Sequence, residues 1–247
     1  MSTIPNSLLF ALGNLLHPRM LWLMLWPVMV ALAIWGTVAI VFWAQLVATL
    51  AGFINEWLLS AQFLASYDLS DWALFIAKAM ILICLVPLIQ LTALLILGVF
   101  GMQAMVDYVA RRAYRGLARR QGGSFAGSVW NSVVALLGLA GLGLLSLPLW
   151  VFPPLWPLIP VAILGWVNQR VLRYDALAEH GDAQEMAQVF RGARGSLYVL
   201  GALLALIAYI PLVGFFAPVL FGLAMIHYLL AELQALRGAP LEGRIVG

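Results

Sequence analysis

Residues 125–169 read FAGSVWNSVVALLGLAGLGLLSLPLWVFPPLWPLIPVAILGWVNQ and carry no charged side chain. The middle of this stretch is interrupted by five prolines, Pro148, Pro153, Pro154, Pro157 and Pro160. A run this apolar is typical of a membrane segment, but each proline removes a backbone hydrogen bond and interrupts a helix. The stretch therefore predicts a helical hairpin that enters the bilayer, turns at the prolines and returns.

A second uncharged run, residues 195–231, has the same layout, with Pro211 and Pro218 in its middle. Both runs open their broken part with a Pro-Leu pair and place a phenylalanine four residues after that proline, as in related repeats. At 1.5 Å per residue, three of the four arms reach only about 20 to 24 Å, less than the roughly 30 Å hydrocarbon core. We therefore predict two re-entrant hairpins, 125–169 and 195–231, with tips at Pro148, Pro154, Pro211 and Pro218.

The composition sets the class of protein. Apolar residues make up 64% of the chain, charged residues 9%, and the mean hydropathy is +1.02, far from the values of soluble domains. The uncharged runs 20–55 and 79–106 predict spanning helices over 20–55 and 72–106, and leucines at helical spacing predict an interfacial helix over 5–17. The predicted fold is thus an all-α integral membrane protein in one domain, with two long transmembrane helices, two re-entrant hairpins and an N-terminal interfacial helix.

The arginines predict the orientation. Residues 107–120, expected to form a basic juxtamembrane helix, carry five arginines and one acid, whereas residues 56–71 carry three acids and no basic side chain. Because short cytoplasmic loops are enriched in Lys and Arg, the first segment is predicted to be cytoplasmic, as are both termini and the tail 232–247. We expect the basic helix to contact anionic membrane lipid and not nucleic acid.

Enzyme motifs are missing from the sequence. There is no His-Glu-x-x-His, no paired cysteine, no Gly-x-Ser-x-Gly and no phosphate-binding glycine loop. His180, Asp182 and Glu185 come nearest to a metal set, but such residues on a polar loop are usually just solvated. We expect no enzyme activity, no cofactor and no metal.

Few polar groups lie inside the apolar runs, and among them only His227 titrates. Asn131, Asn168, Gln169 and His227 are candidate pathway residues, because a helix that stops at membrane depth needs water or protein around its ends. Two alternatives stand beside this interpretation. Hydrogen bonds between helices, at about 0.6 kcal/mol each, explain most such polar groups, and a re-entrant hairpin can simply anchor an assembly.

A family resemblance covers nearly the whole chain. Pro18 and Pro27 frame the start of the first span, Tyr174-Asp175 precedes Glu185-Met186, and Ile210-Pro211 and Ala217-Pro218 flank the second tip. With the order of the helices, these features make the chain similar to the bacterial CysZ-type sulfate permeases, within the wider family named after etoposide-induced protein 2.4. The resemblance implies a homo-oligomer of the bacterial inner membrane that passes sulfate inward for cysteine synthesis.

One departure from that family concerns the anion site. The sulfate permeases carry Gly-apolar-Arg after the proline that opens the first span, whereas this chain reads Pro-Arg-Met-Leu-Trp over 18–22. We expect Arg19 to contact an entering anion, with Arg170 and Arg173 as secondary contacts; alternatively, all three only anchor the protein. The predicted function is a permease or channel for a small inorganic anion, sulfate above all, passive or gradient-driven. The alternative is a non-transporting membrane scaffold that organises lipid or partner proteins.

Overall fold

The computed structural model describes residues 4–60, 70–210, 213–214 and 216–238, and every element with assigned bounds in them is helical. Five of the described helices are long and apolar enough to cross a membrane, which confirms the predicted all-α membrane fold. The helices are α1 (Ile4–Leu15), α2 (Pro18–Ser60), α3 (Ser70–Ile96), α4 (Met102–Ala113), α5 (Phe125–Ser146), α6 (Leu158–Leu177), α7 (Ala183–Gly192), α8 (Arg194–Ala208) and α9 (Ala217–Gly238).

The chain forms two compact units, and residues 22–98 make up one of them. This unit holds most of α2 and all of α3, which are linked by a 2.8 Å hydrogen bond from Trp35 Nε1 to Thr92 Oγ1. Both helices continue through their internal prolines, Pro27 and Pro87. The 43 residues of α2 measure about 65 Å, so this helix exceeds a bilayer thickness and must tilt in the membrane or project from it.

The second predicted span is helical through residue 106 but contains a π-helical turn. The helix α3 ends at Ile96, and a π-helical turn, Leu97–Gly101, leads into α4. Many apolar side chains among the described residues of this unit point outward, with Ile40 81% and Leu95 70% exposed. A surface of this kind is stable only in contact with lipid or other apolar protein surface.

The other unit contains the described parts of 1–21 and 99–247, and α9 is its core. This helix packs against α1, α4, α6, α7 and α8, and its fully buried side chains include Leu220, Leu223, Leu229, Leu230 and Leu233. On α1, small and polar residues such as Ser7 and Ala11 face the protein, whereas Leu9 and Leu12 are 67% and 44% exposed. The outward leucines suit the interfacial position predicted for this helix.

The second arms of both hairpins are longer than predicted. The helix α6 has 20 residues and α9 has 22, about 30 and 33 Å, because both continue through charged residues beyond the uncharged runs. The prediction that these two arms are too short to cross was therefore wrong: absence of charge does not define where a helix ends. Among the four arms of the two hairpins, α8 is the one that stays short, with 15 residues. Its axis is bent by 74° from that of α7 at Ala193.

The predicted hairpin tips lie in different settings. Pro148 and Pro154 belong to two successive 3₁₀ turns, Leu147–Val151 and Pro153–Leu155, which join α5 to α6. Pro218 is the second residue of α9, where a missing backbone N–H removes no helical hydrogen bond. Pro211 lies outside the described residues.

The basic helix predicted over 107–120 ends at Ala113. The chain then turns along the α6–α7 loop, where the amides of Gln121, Gly122 and Gly123 donate to the carbonyls of residues 179, 181 and 178 at 2.9 to 3.0 Å. A Cβ on Gly122 or Gly123 would clash with this loop. The Gly-Gly pair therefore allows two backbone segments to approach, which is its structural use here.

Candidate functional site

Three arginines line a partly enclosed cavity of about 370 Å³ between α6, α7 and α8. The helix α6 presents one face, with Trp166, Gln169, Arg170 and Arg173 at the i, i+3, i+4 and i+7 spacing of neighbours on a helix. The other two helices add Phe190, Arg194 and Tyr198. Since no carboxylate is among these lining residues, the cavity has a net positive charge.

Two of the guanidinium groups in the cavity are incompletely bonded. The Nε atoms of Arg170 and Arg173 are buried and have no hydrogen-bond partner among the described residues. Arg173 Nη1 donates to Gln169 Oε1 at 3.3 Å, and its guanidinium carbon lies 4.8 Å from the centre of the Phe190 ring. A buried donor without a partner costs about 1 to 3 kcal/mol, and more when charged. An anion in the cavity would offset part of this cost through its attraction to the two guanidinium charges.

Hydrogen bonds to α5 and α8 hold the helix α6 in place on the sides that do not carry the arginines. Asn131 is buried on α5 and donates to the carbonyl of Arg170 at 2.6 Å. Asn168 Nδ2 donates to the carbonyl of Gly201 at 3.4 Å, where α6 and α8 approach so closely that a Cβ on Gly201 would strike the α6 backbone. These contacts fix the position of α6 between its neighbours and so orient the arginines.

Acidic groups of the same unit are used in a separate ion-pair network. Glu185 accepts from Arg237 at 2.9 Å and from Arg120 at 2.8 Å, and Asp182 accepts from Arg120 at 3.1 Å. The Arg237 guanidinium holds the pKa of Glu185 below its usual value, and the backbone amide of Glu185 does the same for the pKa of Asp182. Both carboxylates are thus ionised at neutral pH, and they compensate Arg120 and Arg237 but not the cavity arginines.

A second basic surface is open to solvent. Arg111, Arg115 and Arg119 line a depression of about 430 Å³ together with Tyr114 and His180. Burial, and then the charges of Arg119 and Arg237, lower the pKa of His180, while burial raises the pKa of Tyr114 to about 12. Asp107 pairs with Arg111 and Arg119, so this surface is partly neutralised, unlike the cavity.

The comparison with known families identifies the family of this chain. The family model described as Sulfate transporter CysZ/Etoposide-induced protein 2.4 matches residues 7–218. The chain belongs to this family. No curated protein and no solved structure gives a significant match. The family is of a transporter type, and with the five apolar helices it defines a multi-pass membrane protein.

In this family member, the residues predicted as anion contacts separate into two places. Arg170 and Arg173 share the cavity, whereas Arg19 is exposed near the start of α2 and does not line it. The backbone amide of Arg19 donates to His17 Nδ1 at 3.3 Å. The anion-binding role of all three stays a prediction, but only Arg170 and Arg173 occupy a built site.

The predicted pathway residues also separate. Gln169 lines the cavity, but Asn131 and Asn168 make the interhelical bonds described above, as their alternative interpretation expected. His227 lies apart, with Nδ1 3.1 Å from Ser7 Oγ and its ring stacked on Phe10 at 4.3 Å. The histidine therefore docks α1 onto α9, and its contact with Ser7 is an interaction between helices, which was the alternative to a pathway role.

Sequence reasoning missed four lining residues of the cavity. Trp166 could have been found, because it stands one helical turn before Arg170 on the same face of α6. Arg194 and Tyr198 share a similar i, i+4 relation on α8. Phe190 reaches the cavity from α7 across a 74° bend that no pattern in the sequence indicates.

Proposed function

We infer that this protein is a membrane permease for a small inorganic oxyanion, with sulfate as the substrate, and that the anion binds in the arginine cavity. The observation that carries this proposal is the convergence of Arg170, Arg173 and Arg194 on one cavity that has no lining carboxylate. Membership of a sulfate transporter family supports the choice of anion.

The chemistry of the cavity suits an oxyanion. A guanidinium presents several N–H donors in one plane, which match two oxygens of a sulfate or phosphate group. The cavity volume of about 370 Å³ far exceeds the roughly 30 Å³ that one water occupies in the liquid, so a partly hydrated anion fits. Arg194 is exposed at the rim and adds attraction for an approaching anion.

Other features of the proposal come from the sequence. Since the chain carries no nucleotide-binding motif, transport is passive or driven by a gradient. The positive-inside rule supports a cytoplasmic location for the termini and the arginine-rich loops, and the family resemblance supports a bacterial inner membrane. The family resemblance supports a homo-oligomer. Arg19, outside the cavity, is assigned a recruiting role at the start of α2.

Uptake of radiolabelled sulfate into liposomes that contain the purified protein tests the proposal. Arg170→Gln with Arg173→Gln should lower the initial rate by about tenfold or more, because two charged hydrogen-bond donors are lost. Arg191→Gln is the matched control, since Arg191 is exposed on α7 outside the cavity, and its rate should equal that of the unaltered protein. Uptake no faster than into empty liposomes would reject transport in favour of the scaffold role.

A further inference from the structure

An apolar groove of about 470 Å³ runs along the first hairpin, next to the arginine cavity. Its walls are leucine and isoleucine side chains of both arms and of the turn between them, including Leu142, Leu149 and Ile163. The one serine in the groove, Ser146, already donates to the carbonyl of Gly143 at 2.7 Å and accepts from Trp150 at 3.2 Å. The groove therefore presents an apolar surface, and its serine needs no hydrogen bond from a ligand.

The groove and the cavity adjoin at two shared residues. Trp166 and Tyr198 line both of them. The Tyr198 hydroxyl donates to the carbonyl of Ala162 at 3.2 Å, which fixes the ring at the border. On one side of this aromatic pair the surface is aliphatic, and on the other side it carries Arg170 and Arg173. Tryptophan and tyrosine are the residues that membrane proteins place between acyl chains and polar headgroups.

We propose that an anionic phospholipid binds along this surface, with an acyl chain in the groove and its phosphate at Arg170, Arg173 and Arg194. One molecule then covers the apolar groove and places a negative charge beside the three guanidinium groups. A zwitterionic lipid is disfavoured, because its ammonium group would stand beside three arginines without a lining carboxylate.

The lipid also gives the oxyanion site a regulator. A phospholipid phosphate and a free inorganic oxyanion present the same oxygens to the same guanidinium groups, so each excludes the other. This consequence rests on the proposed function, since it requires that inorganic anion use the cavity, whereas lipid binding itself does not. Anionic lipid in the surrounding membrane then lowers the apparent affinity for sulfate.

Lipid binding is measured by native mass spectrometry of the detergent-purified protein, titrated with phosphatidylglycerol or phosphatidylcholine of identical chains. The affinity for phosphatidylglycerol should be at least about tenfold higher than that for phosphatidylcholine, as expected for one well-placed charged contact. Arg170→Gln with Arg173→Gln should remove this preference, and Arg191→Gln should keep it. Equal binding of the two lipids to the unaltered protein would overturn the proposal.

Variants in the groove separate the lipid from a free anion. Ala162→Trp fills the groove from α6, and Ala140→Trp, on an exposed part of α5 outside the groove, is its matched control. Ala162→Trp should weaken the binding of phosphatidylglycerol by about tenfold, because the indole displaces methylene groups of the acyl chain from the groove. The same variant should leave sulfate binding, measured by calorimetry in detergent, unchanged. Leu142→Trp fills the same groove from α5 and replaces Ala162→Trp if that variant does not fold.

The outcomes distinguish this inference from the proposed function. Phosphatidylglycerol binding that is unchanged in the folded groove variants overturns the inference, whatever the liposomes show. Groove-dependent and arginine-dependent lipid binding without sulfate flux supports the inference and removes the proposed transport. If sulfate uptake depends on Arg170 and Arg173 but lipid binding is unaffected by the arginine and groove variants, the proposed transport stands and the lipid site is refuted.

Discussion

Arg237 near the end of α9 holds Glu185 on α7 in a two-point ion pair, with Nε 2.9 Å from Oε1 and Nη2 2.9 Å from Oε2. The same guanidinium donates to the carbonyls of His180 and Ala118 at 2.6 and 2.7 Å. One side chain thus joins the core helix, the α6–α7 loop and the segment that follows α4. The pair is largely shielded from solvent, with side chains 17% and 12% exposed.

Removal of Arg237 is expected to destabilise this end of the molecule. Arg237→Gln leaves Glu185 shielded with only Arg120 as a charged partner, and loss of one member of a buried pair costs roughly 3 kcal/mol. Arg111→Gln is the control, because Arg111 is 76% exposed in its pair with Asp107 and such pairs contribute about 0 to 1 kcal/mol. Thermal unfolding in detergent measures both. Equal midpoints for the two variants would contradict the proposed role of Arg237.

Stability should fall as the pH falls below about 6.5, the usual pKa of histidine, because of His180. Burial, and then Arg119 and Arg237, lower the pKa of His180 in the folded protein. The unfolded chain therefore binds the proton first, and protonation favours unfolding over the pH range between the two pKa values. His180→Gln should flatten this part of the stability curve, measured by thermal midpoints between pH 7 and pH 5. An unchanged slope in the variant would assign the decline to other groups.

A second loss of stability is expected in more acidic solution. The pKa values of Glu185 and Asp182 are lowered by Arg237 and by the Glu185 amide respectively, so their stabilising contribution is present above the unfolded pKa of about 4 and is lost as the pH falls through the lower folded values. Glu185→Gln should weaken stability at pH 7 and show a smaller further decline on acidification. A parallel curve for the variant and the unaltered protein would contradict this origin.

Part of the site follows from the sequence, because it depends on local pattern. Arg170 and Arg173 stand at the end of an uncharged run, and helical spacing alone places Gln169 and Arg173 on one side of α6. The membrane class follows equally from composition. What the pattern lacks is the partner helix: Arg194 and Tyr198 join the cavity only because α8 bends away from α7 and packs on α6.

The ends of the helices and the long-range ion pairs were beyond sequence reasoning for a similar cause. Uncharged runs predicted where α6 and α9 would stop, but both helices continue beyond these runs through charged residues such as Arg170 and Glu232. Glu185 and Arg237 are 52 residues apart, and nothing in either neighbourhood indicates the other. Their pairing is a product of the packing of α7 against α9.

The Gly-Gly pair after the arginine-rich segment should not tolerate side chains. Gly122→Ala places a Cβ against the carbonyl oxygen of Gly181 and should cost about 1 to 3 kcal/mol, as overpacking does. Gly192→Ala is the control, since no atom lies within 4 Å of its Cβ position and alanine favours the helix. Thermal midpoints compare the two variants. A neutral Gly122→Ala would mean that the two backbone segments are not as close as described.

The separation of Arg19 from the cavity predicts unequal effects on transport. Arg19→Ala removes an exposed charge that attracts anions, so it should lower the sulfate uptake rate by a few-fold at low ionic strength, and less at high ionic strength where exposed charges are screened. Arg170→Gln with Arg173→Gln removes buried donors, and its larger effect should persist in salt. Uptake in 20 mM and 300 mM of an inert salt separates these two roles. If Arg19→Ala abolished uptake at both salt concentrations while the cavity variant transported normally, the anion-binding site would lie at the start of α2. The arginine cavity would then bind lipid only and take no part in transport.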